Sequence, residues 1–336
     1  MGTIDRYRDD LFAQQWRYAS AQRLDGALDR AHTPATGAPF YRPTAAAANV
    51  ILNVADDVRM RAKVLGQLAI RRTYARSMAS PQALAHSVFA NLAVRGHLGC
   101  LAGLEDEAGR PLFFADAAEA DDLTLDHGSG NWLIESRTWL PQVWSTPSGR
   151  IVVDPMLAED GVGSCDRPRL DPDDIEYCNG SFADVSDPRD PYGVSARAAD
   201  RRAGCPLSDY GETDYWRHLP RLLGWHAVPG EVCPLSSTLQ LVQDVLDACL
   251  SDDDLDPTRG HAVLVVDARN PSFEWSTWRS TGRGSRAIES VRSALGVHDD
   301  LLRVGTWQMI ARAMDEEGGL DWLVEALWEK YGIEPA

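Results

Sequence analysis

The chain has 336 residues, 44% of them hydrophobic and 25% charged, which is the composition of a globular protein able to bury a full core as one large domain or two modest ones, with no need of disulfide staples. With 50 acidic against 33 basic residues the formal net charge is −17, so the surface as a whole repels nucleic acid and any such contact must come from a local basic patch. No apolar run approaches the roughly 20 residues of a membrane span, and the polar stretch Asp5-Arg-Tyr-Arg-Asp-Asp10 lacks the apolar core of a secretory signal; the expectation is a cytoplasmic protein with no membrane contact.

Taken in chain order, the first hundred residues read as helical. A helix is expected over residues 5–31, then a Pro/Gly loop over 33–43, a long helical run over 44–78, and a further helix with Ser80 as N-cap and Pro81 in its first turn. The middle reads as β-rich and irregular, with turn signals at 106–110 and 147–149 and candidate strands at 112–114, 123–126, 139–145 and 151–154. Residues 160–206 hold many Asp, Pro and Gly residues without a period, a length that points to function or to a metal-organised loop. Helices return at about 209–224 and 236–251, the second with Leu235, Leu239, Val242, Leu246 and Cys249 on one face. His261-Ala-Val-Leu-Val-Val-Asp267 is the strongest buried-strand signal. Two amphipathic helices follow, one carrying Leu301, Val304, Trp307, Ile310, Ala311 and Met314, the other Leu320, Leu323, Val324, Leu327, Trp328 and Tyr331. This order predicts an α/β core with a helical N-terminal region over 1–99, a core over 100–336, and an irregular Cys-containing insert at about 160–206.

Chemistry concentrates at a predicted hairpin. Two β runs flank Pro147-Ser148-Gly149, and the second passes from Ile151-Val-Val153 into Asp154, the geometry by which a metal-dependent nuclease presents carboxylates at a sheet edge. Such an enzyme also wants a D/E-x-K triplet. The only lysines are Lys63 and Lys330, and Arg61 and Trp328 stand two positions before them, so the chain contains no such triplet.

Two arginine segments are candidates for phosphate contact, against the plainer reading of a solvated or interface-forming surface. One is Arg59, Arg61, Lys63, Arg71, Arg72 and Arg76; the other is Arg279, Arg283, Arg286 and Arg292, interleaved with Trp275 and Trp278. Cys165, Cys178, Cys205 and Cys233 could hold a structural zinc or be ordinary reduced thiols, since no C-x-x-C pair anchors them. Cys100 and Cys249 read as core residues. Asp267, before Ala268-Arg-Asn-Pro271, stands either at the ligand edge of a sheet or in a turn where its carboxylate binds local amides. Gly282-Arg-Gly-Ser-Arg-Ala287 has the look of a glycine-rich phosphate loop, but no strand leads into it and no Lys-Ser/Thr follows.

With these segments in hand the chain resembles a family of restriction endonucleases of the PD-(D/E)XK superfamily, described as associating with ARP. The likeness covers about residues 77–332 and rests on Ser77-Met-Ala-Ser-Pro-Gln-Ala-Leu-Ala-His-Ser-Val-Phe-Ala-Asn-Leu92, Gly163-Ser-Cys-Asp-Arg-Pro168, Tyr177-Cys-Asn-Gly180, Asp214-Tyr-Trp216, Cys233-Pro-Leu235 and Asp267-Ala-Arg-Asn-Pro271. It implies a restriction-endonuclease-like mixed sheet flanked by helices, cysteines at positions like the four named, and a divalent metal site with Glu135, Gln142, Asp154, Met156 and Glu159 at the family's site positions. The chain departs from the pattern where the chemistry lies. Gln142 stands where the metal-binding Asp is expected, and Asp154-Pro155-Met156 replaces Glu-x-Lys. A neutral amide weakens Mg²⁺ or Mn²⁺ binding, and loss of the lysine removes an electrostatic group of the kind worth about 10²- to 10³-fold in rate. The resemblance therefore implies a degenerate nuclease serving as a DNA- or protein-binding subunit in prokaryotic defence. Its alternative is a Mg²⁺- or Mn²⁺-dependent endonuclease using Asp154 with Glu135 or Glu159.

Overall fold

The computed structural model describes residues 3–31, 33, 37–66, 76–118, 142–159, 215–225, 234–251, 254–276, 279–280 and 282–335. At its centre is a four-stranded mixed sheet, in the order β1 (Gln142–Thr146), β2 (Gly149–Pro155), β3 (Gly260–Val266), β4 (Leu302–Thr306). β1 and β2 form the expected antiparallel hairpin across Pro147-Ser148, while β2, β3 and β4 run parallel. Gly149 turns the hairpin at φ 152°, where a Cβ would lie 2.3 Å from the Arg259 carbonyl oxygen, so only glycine fits there.

Parallel neighbours need crossovers, and right-handed crossovers stepping the same way across a sheet put their helices on one face. The helix before β3, α6 (Leu239–Cys249), and the helix between β3 and β4, α7 (Arg283–Leu295), do share a face. They pack with Leu219 and Leu222 of α5 (Tyr215–Leu222) and with Val152, Ala262, Leu264 and Val304 in one core. The opposite face carries Trp144, Ile151, Val153, Val263 and Val265. It is covered by α1 (Ile4–Ala21), by α3 (Pro81–Ala85) continuing through a π-turn over His86–Ala90 into α4 (Asn91–Arg95), and by α8 (Trp307–Glu317) and α9 (Asp321–Tyr331). Covered on both sides, β3 is buried along its whole length, which is why it reads as a continuous apolar run. Phe89 is the aromatic centre of the second core, its ring 5.0 Å from Trp144, 5.8 Å from Trp307 and 6.3 Å from Phe113.

Several sequence expectations are corrected. The first helix stops at Ala21, not near residue 31, because Arg23 adopts left-handed φ 54° and the chain turns back so that Leu28 bridges Tyr41. The run over 44–78 is not one helix. It is a 3-10 segment (Pro43–Asn49), an extended stretch, and α2 (Val58–Gly66), with residues 67–75 outside the described residues. Tertiary bonds override propensity here: the Ile51 N–H donates to Ser87 Oγ at 2.9 Å and the Ile51 carbonyl accepts from Asn91 Nδ2 at 3.0 Å, using groups that a helix would need. Residues 112–114 form no strand; Leu112 gives its carbonyl to His261 Nε2 at 2.8 Å. The expected helix from Leu301 begins only at Trp307, with Thr306 accepting from the Met309 N–H as N-cap, and Leu302–Thr306 is instead the edge strand β4. The candidate strand at 123–126 lies outside the described residues.

Lys330, on α9, is fully buried and donates to the Asn49 carbonyl at 2.5 Å and to Asn49 Oδ1 at 2.8 Å, tying α9 to the segment before α2. Burial pulls its amine down to about 7. No helix among the described residues is long and apolar enough to cross a membrane.

Phe89→Ala should cost about 3–5 kcal/mol, the usual loss for deleting a buried aromatic ring from a packed core. A drop in urea midpoint at constant m-value checks this, and a change below about 1 kcal/mol would place Phe89 outside the stabilising core.

Candidate functional site

β2 alternates its side chains between the two cores, so Val152 and Met156 face α6 while Ile151, Val153 and Leu157 face α8. Asp154 shares the parity of Val152 and Met156. It is 2% exposed, and its Oδ2 accepts from Gln240 Nε2 of α6. Asp244, one helical turn beyond Gln240 and also 2% exposed, stands beside the Asp154 carboxyl, and Asp154 Oδ1 and Asp244 Oδ2 have no donor among the described residues. Two carboxylates cannot bond each other without a proton between them. Burial, reinforced by the neighbouring Asp154 charge, raises Asp244 well above the ordinary carboxylic range. Burial pushes Asp154 up to about 7 against the opposing pull of its Asp244 and Gln240 bonds. The pair therefore holds at least one proton between its two carboxyls.

The other expected site positions do not converge here. The hairpin register pairs Gln142 with Val153, one position out of step with Asp154. Met156 is fully buried in the α6-side core, and its carbonyl accepts from Trp307 Nε1 at 2.8 Å. Glu159 folds back on its own loop, its Oε2 accepting from the Leu157 N–H at 2.5 Å. Burial raises it to about 7 in spite of backbone bonds and the nearby Arg8. Glu135, Cys165, Cys178, Cys205 and Cys233 lie outside the described residues. Among the described residues no group of three or more His, Cys, Asp or Glu side chains is placed to hold a metal ion, and Cys100 and Cys249 are free thiols, Cys249 in the core as expected.

The divalent ion that the nuclease pattern implies needs open oxygen ligands and room for water. The residues present do not fit it. One Asp154 oxygen is taken by an amide N–H, the carboxyl stands beside a second acid, and the side chain two positions on is a buried thioether.

A second polar constellation stands at the carboxyl end of β3, on the other side of the sheet. Asp267 is buried and accepts from Gln308 Nε2 at 2.8 Å, from the Arg269 N–H at 3.0 Å, and from both forks of the Arg269 guanidinium. The buried Tyr7 hydroxyl of α1 lies 2.9 Å from Asp267 Oδ2 and 2.7 Å from the Leu157 carbonyl. Burial, and then the Asp267 charge, raise Tyr7 well above the usual phenol range. Arg269 also reaches the Tyr331 carbonyl at 2.7 Å, and Asn270 Nδ2 donates to the carbonyls of Leu157 and Glu159. The local amide bond expected of Asp267 in a turn is there, and the longer-range partners are added to it. None of Tyr7, Gln240, Asp244 or Gln308 was singled out in the sequence; the polar pair Gln240 and Asp244 beside the apolar stripe of α6 was the available signal.

Two members of the arginine segments are held by partners within the fold. Arg76 pairs with Asp29 at 2.6 Å, and Arg292 donates to the Leu302 carbonyl and pairs with Glu107 and Asp106. Arg283, Arg286 and Arg292 lie on α7 and not in a loop. Gly282 and Gly284 serve close packing: a Cβ would lie 2.0 Å from the Ser272 carbonyl oxygen at the first and 2.3 Å from the Phe273 ring at the second. Comparison with protein families, with curated proteins and with solved structures finds no match to this chain.

The buried acids make stability depend on pH with a definite sign. Asp154 is raised from 3.8 to about 7, so the folded state holds a proton that the unfolded chain has released, and the associated stability is full below pH 4 and lost as the pH rises through 7. Asp154→Asn should flatten the fall in urea midpoint between pH 5 and 8 relative to wild type, a tenfold difference in proton affinity between folded and unfolded chain being worth about 1.4 kcal/mol. Identical slopes in the two proteins would remove Asp154 from the linkage.

Proposed function

We propose that the chain is a binding subunit on a restriction-endonuclease-like sheet, acting in the cytoplasm within a DNA-directed prokaryotic defence system and having no metal-dependent cleavage of its own. The observation that carries this reading is the state of Asp154. It is sealed beneath α6 and shares a proton with Asp244, where a cleaving centre needs an ionised carboxylate facing solvent, metal and phosphate. The sequence supports the same reading, because Gln142 brings no charge to a metal and Met156 neither charge nor proton to an attacking water. The succession of a hairpin and two parallel strands with crossover helices on one face is consistent with the nuclease-like arrangement that the family likeness implies. What remains for such a chain is recognition, of nucleic acid or of a protein partner, by its surface.

The test is nicking of supercoiled plasmid with Mg²⁺ or Mn²⁺, wild type beside Asp154→Ala from one preparation. Neither protein should nick at high concentration. Nicking by wild type that disappears in Asp154→Ala would overturn the reading and make the site a rebuilt endonuclease centre.

A further inference from the structure

A cleft of about 580 Å³ opens between α1, the turn after β3 and the end of α9, on the same side of the sheet as Asp267. α1 contributes Arg6, Asp10, Gln14 and Arg17, one stripe of the helix at spacings of four, four and three. Arg17 donates to Gln14 Oε1 at 2.5 Å, and Gln14 in turn donates to the carbonyls of Glu329 at 2.7 Å and Trp328 at 3.2 Å, so Arg17 is held against the end of α9. There Trp328 lines the cleft with 47% of its surface exposed, one of few large apolar side chains left in solvent among the described residues. Arg269 forms the opposite wall, fixed by Asp267 and the Tyr331 carbonyl.

The charge balance is unusual for this molecule. With Arg269 already paired to Asp267, Arg6 and Arg17 stand against Asp10 and Glu274, an even balance in a chain where acids outnumber bases 50 to 33. Neither Arg6 nor Arg17 makes an ion pair among the described residues. A concave site that joins uncommitted guanidiniums to an exposed indole suits a ligand with planar π-faces and spaced anionic groups. Length decides which ligand. Arg6 and Arg17 are eleven residues apart on α1, roughly 16 Å at 1.5 Å per residue, further than one phosphate can bridge.

We propose that this cleft binds a short single strand of nucleic acid, one base stacked on Trp328 and phosphates at Arg17 and Arg6. The inference rests on the reading of the chain as a binding subunit and names its ligand. A single strand, unlike a duplex, exposes the base faces that Trp328 requires.

The experiment uses the full chain and a labelled oligothymidylate of about ten nucleotides, a length in the usual range of single-strand grooves, followed by fluorescence anisotropy without divalent metal. The oligonucleotide should bind more tightly than the matching duplex or thymidine monophosphate. Trp328→Ala should weaken it by about 5- to 150-fold, with Trp328→Phe restoring much of the loss. The Arg6→Ala, Arg17→Ala double variant should lower the salt slope by about 1.4. Both positions are at the surface, so the variants should keep the wild-type melting temperature. Binding unchanged by all three variants, preference for duplex or mononucleotide, or no binding by wild type would overturn this inference. Metal-dependent nicking is the separate result that would overturn the binding-subunit reading itself.

Discussion

A carboxylate buried at the end of a buried strand has to be neutralised and saturated, or the strand cannot end where it does; an uncompensated buried charge costs several kcal/mol. Asp267 meets this demand with partners from far apart in the chain: Tyr7 from α1, Arg269 from its own turn and Gln308 from α8. Arg269 passes the constraint on to the end of α9 through the Tyr331 carbonyl, and Asn270 ties the exit of β2 to the exit of β3. One carboxylate thus sets the relative position of the sheet, the two last helices and the first. The walls of the arginine-lined cleft, α1, the turn after β3 and the end of α9, are among the elements that these bonds hold together.

Asp154 solves the same burial problem in the opposite way. Among the described residues no guanidinium bonds it; a second acid stands beside it, and neutrality is achieved by keeping a proton. The two strand ends therefore differ in what they are fit for. A pair of acids holding one proton responds to pH and is poorly disposed to bind a divalent cation until that proton leaves. At β2 the carboxylate ends beneath α6, whereas at β3 it lies among partners drawn from α1, its own turn and α8.

How far this was legible in the sequence depended on whether the deciding interaction was local. The hairpin was readable because Pro147, Ser148 and Gly149 sit at turn spacing between β runs, and β3 because a strand covered on both faces is apolar throughout. Leu301, Val304 and Trp307 fit a helical period as well as they fit a strand leading into a helix, and only hydrogen bonding to β3 decides between them. The break after Asn49 has no local signal, since Ser87 and Asn91 impose it from another helix. Asp154 and Asp267 were identified as strand-end acids, but nothing near either one in the sequence reveals that the first is met by Asp244 and the second by Tyr7. Long-range polar pairing has no period by which it can be recognised.

The fate of the two lysines carries a practical corollary. Lys330 is sealed against Asn49 with its amine withdrawn from solvent, and Lys63, exposed on α2, is the other lysine in the chain. Among side chains, amine-directed reagents in the native state therefore meet a single address, remote in sequence from both strand-end carboxylates. A fluorophore, crosslinker or surface tether introduced through lysine chemistry reaches one lysine without mutagenesis, and the appearance of a second modified lysine reports that the contact between α9 and the Asn49 segment has opened.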